Sequence, residues 1–335
     1  MNGAKSSSAI GTTGTAEPQR PYCGRFAPSP SGELHFGSLV AAVGSYLEAR
    51  ARGGRWLLRI EDLDPPRERP GVTDRILADL ERLGFDWDGA VLYQSTRADA
   101  YEAAITRLDR AGLIRRCACS RSQLAALPEN RNRAAGEEYF HPAVCIPGGA
   151  ARLPREAGFA LRLCAADREI VFLDRCQGRV ATNVARTVGD FVLQRRDGLH
   201  SYQLAVTVDD ADQAVTDVVR GADLLSSTPR QILLQEALGL VRPGYLHLPL
   251  AVDVHGAKLS KSADAPALAE ASPSAQLTAA LEFLRQDLPA ELAGAPTREI
   301  LGWAALHWRP ERFRGMTAVK VSDEPAAGRI QEGRQ

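Results

Sequence analysis

Lysine is nearly missing from this chain: only four of its 41 basic residues are Lys, and the rest are Arg. Positive charge is therefore supplied by default as planar guanidinium, and the compact, mobile ammonium is kept for a few places. Net charge is missing as well, because 41 Lys plus Arg balance 41 Asp plus Glu. That balance creates no whole-molecule field to attract nucleic acid, so such a partner has to meet a local basic face. No apolar run is long enough to span a bilayer, which excludes a helical membrane protein and leaves no membrane partner. Residues 1–20 hold Ser, Thr, Gly and Ala without the apolar block of a secretion signal, so a disordered leader and a cytoplasmic protein are expected. Six cysteines in that compartment do not make a disulfide framework; Cys23, Cys164 and Cys176 stand singly among apolar neighbours and read as packed thiols.

Two of the four lysines fall three residues apart, in Lys258-Leu259-Ser260-Lys261-Ser262. Mobile point charges in a polar loop suit moving phosphates. Far upstream, Arg25-Phe26-Ala27-Pro28-Ser29-Pro30-Ser31-Gly32 carries a strand candidate into a tight turn, where backbone approaches a ligand closely. His35 and Gly37 follow at the start of a helical pattern, whose free N–H groups and positive dipole end attract phosphate. A His there can donate a hydrogen bond to an α-phosphate, and Gly37 leaves room for an adenine ring. The plain alternative is an ordinary helix start capped by Ser38.

At 335 residues with 44% hydrophobic content, the chain is a soluble globular protein too long for one ordinary core. Strand candidates Tyr22–Ala27, Trp56–Ile60 and Leu113–Cys117 alternate with helical patterns at Gly37–Ala51, Thr73–Leu83 and Arg97–Ala111. The alternation implies an α/β fold with a doubly wound parallel (Rossmann-type) sheet. It breaks at Ser120–Pro154, a polar stretch, which is followed by short strands at Phe159–Leu163 and Ile170–Leu173. A hairpin, Phe191–Leu204, turns at Arg196-Asp197-Gly198. Alternating α/β character resumes with Ala205–Val208, Asp217–Arg220 and a helix at Thr228–Leu238. The expected organisation is a leader (1–20), a first half of the nucleotide-binding domain (21–117), an insertion (118–204) and a second half with the lysine loop (205–262). C-terminal helices (263–315) and a flexible tail (316–335) follow.

Two further segments make these motifs collectively similar to a known family. Tyr202-Gln203-Leu204-Ala205-Val206-Thr207-Val208-Asp209-Asp210 and Val219-Arg220-Gly221-Ala222-Asp223-Leu224-Leu225-Ser226-Ser227-Thr228-Pro229-Arg230-Gln231 closely resemble the glutamyl branch of the class I aminoacyl-tRNA synthetases. His35 and Gly37 resemble that family's HIGH element, and Lys258 and Lys261 its KMSKS element. The resemblance, from roughly Gly24 to Ser262, implies an ATP-dependent ligase that activates L-glutamate. It carries Arg25, Phe26, Ala27, Pro28, Ser29, Glu61, Tyr202 and Arg220 over as the amino-acid pocket. The chemistry agrees: Arg25 and Arg220 can form bidentate pairs with two carboxylates while Glu61 pairs with the ammonium. His35, Gly37, Ser38 and Lys261 would hold ATP, and Lys258 and Lys261 would stabilise departing pyrophosphate, with Mg²⁺ shielding its charge.

Cys117-Ala118-Cys119 and His141-Pro142-Ala143-Val144-Cys145 offer three thiolates and an imidazole, a set suited to one closed tetrahedral Zn²⁺. Zinc-bearing relatives place a Tyr where His141 stands, and Tyr139 is near, so the third ligand is either of the two. After Ser262 there is space for a small helical cap and little more, and Gly221-Ala222-Asp223-Leu224-Leu225 departs from the Gly-Glu-Asp-His pattern of the full enzymes. Both features resemble the truncated members of the branch, which esterify queuosine in the anticodon stem-loop of tRNA(Asp) and for which a monomer is expected. Two rivals stand beside this reading: a minimal glutamyl-tRNA synthetase, and a silent glutamate- or RNA-binding paralogue.

Overall fold

The computed structural model describes residues 20–133, 139–143, 158–253 and 271–321. Strands β1 (Cys23–Phe26) and β2 (Arg55–Ile60) are parallel and joined by helix α1 (Phe36–Ala51). After α2 (Val72–Arg82), the two-residue strand β3 (Leu92–Tyr93) continues the sheet in parallel beyond β2. Trp56, Leu57, Leu58 and Ile60 of β2 are buried, as a parallel strand between helical layers requires, and Arg59 is buried among them. On one side lies α1, itself covered by α8 (Pro273–Phe283) and α9 (Thr297–Leu306), with Trp56, Leu58, Leu47, Leu277 and Ile300 in one core. Each such large side chain contributes about 1.5–3 kcal/mol through burial.

A second sheet holds β9 (Asp217–Gly221) and β10 (Gly244–Leu248), parallel and connected through α7 (Thr228–Ala237). On the far side of β10 lie β6 (Glu169–Asp174), in parallel, and β7 (Gly178–Asn183), antiparallel at the edge. The sheets meet at β1 and β9. There the Cys23 N–H donates to Thr216 Oγ1 (2.9 Å), and the Thr216 N–H donates to the Cys23 carbonyl (2.9 Å). Across this junction the strand order is β3-β2-β1-β9-β10-β6, which winds outward in both directions from the β1/β9 seam. The carboxyl ends of those two central strands are where such a fold opens a crevice.

A third, antiparallel sheet, β4-β5-β8, consists of β4 (Ile114–Cys117), β5 (Ala160–Leu163) and β8 (Phe191–Gln194). It shares a second core with α3 (Ala98–Arg110), α6 (Tyr202–Asp212) and α7, built around Tyr101, Phe191, Leu204 and Ile232. The polar stretch after β4 forms a short helix, α4 (Arg121–Ala125), started by a reciprocal capping box between Ser120 and Gln123. Between β7 and β8 lies α5 (Val184–Thr187). No helix among the described residues is long and apolar enough to cross a membrane.

Four segments differ from the sequence expectation. Leu113–Cys117, counted with the parallel strands, instead supplies β4, whose ladder with β5 is antiparallel, because the spacing of elements does not say which strand a segment will pair with. Leu204–Val208, read as a hairpin arm and a resumption of the sheet, is helical within α6, where Ser201 caps the helix by accepting the Leu204 N–H. A short apolar run buried on every side has the same composition in a strand and in a helix, so its periodicity carried no signal. Strands β6 and β7, placed by sequence in the insertion, extend the second parallel sheet through the single β10 register Tyr245↔Asp174. Finally, Ala318–Lys320 in the expected tail is a strand, β12, parallel to β11 (Leu250–Val252). The backbone groups of β11 would otherwise lack ladder partners on that side.

Candidate active site

The loops leaving β1, β2, β9 and β10 surround a cavity of about 270 Å³. Its lining includes Arg25, Phe26, Ala27, Pro28, Ser29, His35, Gly37, Ser38, Glu61, Tyr202 and Arg220, residues separated by up to 195 positions in sequence. Lys258 and Lys261 lie outside the described residues. The β1 and β2 loops are tied together by the Glu61 N–H, which donates to the Pro28 carbonyl (2.9 Å). His35 is the N-cap of α1, and its Nδ1 accepts the Ser38 N–H at 3.2 Å. His35, rather than Ser38, is therefore the cap. That bond needs a lone pair on Nδ1, which leaves the ring proton of the neutral imidazole on Nε2. Gly37 packs so closely that a Cβ would lie 3.2 Å from the His35 ring.

One wall is a buried lattice of opposite charges. Arg25 donates through Nε (3.0 Å) and Nη2 (3.3 Å) to the two oxygens of Asp210. Arg59, fully buried in β2, donates to Asp210 (2.8 Å), Gln213 (2.9 Å) and Glu61 (3.3 Å). Burial works against ionisation of Asp210, yet the charges of Arg25 and Arg59 outweigh it and hold that carboxyl below its usual value. For Glu61 burial wins over the same two arginines, and its carboxyl is raised. The bidentate fork of Arg25, expected to be open to a substrate carboxylate, thus already faces a protein carboxylate. Arg59 and Asp210 were not singled out from sequence. A charged residue inside the apolar run Trp56–Ile60 was the available sign, since a buried guanidinium requires a partner.

The opposite wall is different. Arg220 is also buried, but among the described residues its five acceptors are all uncharged. Nε–H donates to His247 Nε2 (3.1 Å) and Nη1 to the Tyr202 hydroxyl (3.3 Å). Nη2 donates to Thr228 Oγ1 (2.8 Å), Gln231 Oε1 (2.8 Å) and the Leu224 carbonyl (3.4 Å). Among the described residues no carboxylate forms an ion pair with it. Behind His247, Asp174 Oδ2 accepts the imidazole Nδ1–H at 2.6 Å. Both His247 and Asp174 are buried, and neither was visible from sequence reasoning, because the contact needs β6 alongside β10.

A second cluster sits at the end of β4. Sγ of Cys117 and Cys119 and a ring nitrogen of His141 converge within 4.8 Å of one another, all buried. Cys117 Sγ is 3.0 Å from His141 Nε2 and accepts the Cys119 N–H at 3.3 Å. Burial opposes ionisation of Cys117, but the hydrogen bonds from His141 and the Cys119 N–H, with the Arg162 charge, pull its thiol down to about 6. The His141 backbone exchanges hydrogen bonds with Val188 (2.9 Å) and Asp190 (3.1 Å). Its buried Nδ1 has no hydrogen-bond partner among the described residues. Gly189 makes this approach feasible: it has φ +74°, and a Cβ there would fall 1.8 Å from the His141 carbonyl oxygen. Tyr139 packs against the same cluster beneath the Arg121 guanidinium (5.7 Å), and Cys145 lies outside the described residues. Two thiols and an imidazole with a lowered thiol value fit a soft divalent ion such as Zn²⁺.

Residues 23–271 match the family described as tRNA synthetases class I (E and Q), catalytic domain. The chain is similar to Glutamyl-Q tRNA(Asp) synthetase of Pseudomonas aeruginosa, with 55% identity covering 87% of this chain and 95% of that protein. It is 52% identical to the protein of the same name from Dechloromonas aromatica, covering 86% of this chain and 94% of that one. Its structure is similar to that of glutamate-tRNA synthetase from Elizabethkingia anophelis, with TM-score 0.71 and 25% identity over 90% of this chain and 68% of the other.

Proposed function

Because the chain belongs to the class I tRNA synthetases of the glutamyl and glutaminyl type, we propose that it joins L-glutamate to tRNA(Asp) at the queuosine nucleoside. The first half-reaction forms glutamyl-adenylate. The α-carboxylate oxygen of glutamate bonds to the α-phosphorus of ATP, and the bond to the bridging oxygen breaks to release pyrophosphate. In the second, a hydroxyl of the queuosine cyclopentene-diol attacks the activated carbonyl and AMP leaves. The observation that carries this reading is the convergence of Arg220, Glu61 and the His35 helix start on one cavity. Arg220 receives the side-chain carboxylate, Glu61 the ammonium, and Arg25, already balanced by Asp210, backs the pocket through its remaining Nη1. Phe26 to Ser29 bring backbone to the amino acid, and Tyr202 orients Arg220 through its hydroxyl.

On the nucleotide side, His35 presents Nε2–H to the α-phosphate, while Gly37 and Ser38 admit the adenine ring and the helix start faces phosphate. Lys258 and Lys261 neutralise the pyrophosphate as it departs. Mg²⁺ accompanies ATP and shields the charge of its phosphates. Cys117, Cys119 and His141, with Cys145, would hold one Zn²⁺, whose part would be to brace the chain around β4 rather than to make bonds.

Exchange of labelled pyrophosphate into ATP, with L-glutamate and no tRNA, tests the first half. Failure of glutamate to support exchange, or equal support by aspartate or glutamine, defeats the pocket assignment. Labelled glutamate with tRNA(Asp) from cells with and without queuosine, followed by nuclease mapping, tests the second. The expected result is label in the anticodon loop of the queuosine pool alone. Label on the terminal adenosine would instead identify an enzyme that charges the tRNA end.

A further inference from the structure

Arg220 poses a problem of charge. A buried guanidinium without a carboxylate neighbour is costly, and its orientation is not self-evident, because five donors can rotate about the side-chain stem. The structure answers with a buried file of groups from three strands. Asp174 on β6 also accepts the N–H groups of Cys176 (3.0 Å) and Gln177 (2.8 Å), so its position is set by the turn into β7. It holds the Nδ1–H of His247 on β10, and Nε2 of that ring then accepts from Nε–H of Arg220 on β9. With Nε anchored behind, and Thr228 and Gln231 on Nη2, the Nη1 side is turned toward Tyr202 and the cavity.

We propose that His247, fixed by Asp174, is a positioning residue for the amino-acid pocket: as a neutral acceptor it locks Arg220 and leaves a substrate carboxylate to complete its charge. The inference rests on the reading above, in which Arg220 receives the side-chain carboxylate of glutamate. A protein carboxylate in the place of His247 would pair with Arg220 directly and compete with that substrate. An imidazolium there would offer an N–H to an N–H and push Arg220 away. Burial first, and then the Arg220 charge, keep His247 below its ordinary value against the pull of Asp174. Among the described residues the charged and titratable groups facing its ring are Asp174 on β6, Arg220 on β9, Asp223 in the turn after β9, and Tyr245, stacked at 6.2 Å on its own strand.

The test is pyrophosphate exchange by the full chain, with glutamate and ATP varied separately. In His247→Leu the KM for glutamate should rise on the order of tenfold to a hundredfold, while the KM for ATP changes less than about twofold. His247→Gln, whose amide can donate to Asp174 and accept from Arg220, should bring the glutamate KM back to within about fivefold. As pH falls through the lowered value of His247, the glutamate KM of the native enzyme should climb more steeply than that of His247→Gln, which has no ring to protonate. If His247→Leu does not fold, the pH comparison with His247→Gln decides. Parallel pH profiles, or equal losses on glutamate and ATP in both variants, overturn the relay. Arg220→Lys separates the two levels of the argument. An unchanged glutamate KM in that variant sinks the carboxylate reading itself, whereas a raised KM there with an unchanged one in His247→Leu sinks only the relay.

Discussion

Arg25 and Arg220 face the same cavity from neighbouring strands and are equally buried, at 3% and 5% exposure, yet their surroundings are opposite. Arg25 meets a carboxylate directly, and that carboxylate is shared with Arg59. Arg220 meets five neutral acceptors and sees Asp174 only across an imidazole. One arginine completes a structural lattice, and the other holds a charge that no carboxylate among the described residues pairs with. The lesson is that two cations that look alike in a motif are distinguished by their counter-ions, which only the assembled strands supply.

The sharpest way to break the contrast is Asp210→Ala, which strands the buried Arg25 guanidinium and leaves Arg59 with Glu61 alone as counter-ion. The loss should be about 3–5 kcal/mol of folding stability, read from urea denaturation. A loss no larger than that of an ordinary surface substitution would show that the lattice is not what braces this wall. Arg220→Ala leaves no orphaned charge, so its cost to stability should be smaller, about 1–2 kcal/mol from unmade hydrogen bonds. Its main effect belongs on glutamate activation instead. Comparable destabilisation by both variants would erase the distinction.

Acid should separate the walls more gently. Asp210 sits below its ordinary value because Arg25 and Arg59 outweigh its burial, so its contribution is full above about pH 4 and is lost as pH falls through that lowered value. His247 is also lowered, chiefly by burial, so the native state resists a proton that the unfolded chain accepts. Its contribution is full above about pH 6.5 and declines as pH falls toward the folded value. Stability against pH should therefore begin to fall near 6.5 for the native chain and later for His247→Gln. Asp210→Asn should alter only the more acidic part. Identical curves for the native chain and His247→Gln would remove the titration from His247.

Much of the site was legible before any strand was placed. Turn residues after β1 and the His35–Gly37 helix start are local signals, and they meet at the cavity with Arg220, which only the family resemblance had marked. The Cys-x-Cys pair and His141 were legible for the same reason, since donor chemistry is written in residue type. The N-cap role of His35 was not, because it depends on a side-chain torsion rather than on spacing. Nor was α6, whose apolar run fits a buried helix and a buried strand alike.

Sequence by itself determined the alternation of strands and helices, the chemistry of each donor and acceptor, and the turns that expose backbone beside the cavity. Tertiary structure alone decided which charges neutralise which. Arg25 finds Asp210 across 185 positions, and Asp174 reaches His247 only because β6 leaves the expected insertion and lies beside β10. The physical reason is range. Backbone propensity acts over a few neighbours, whereas a buried charge is stabilised by whatever the fold brings within about 3 Å of it, however distant in the chain.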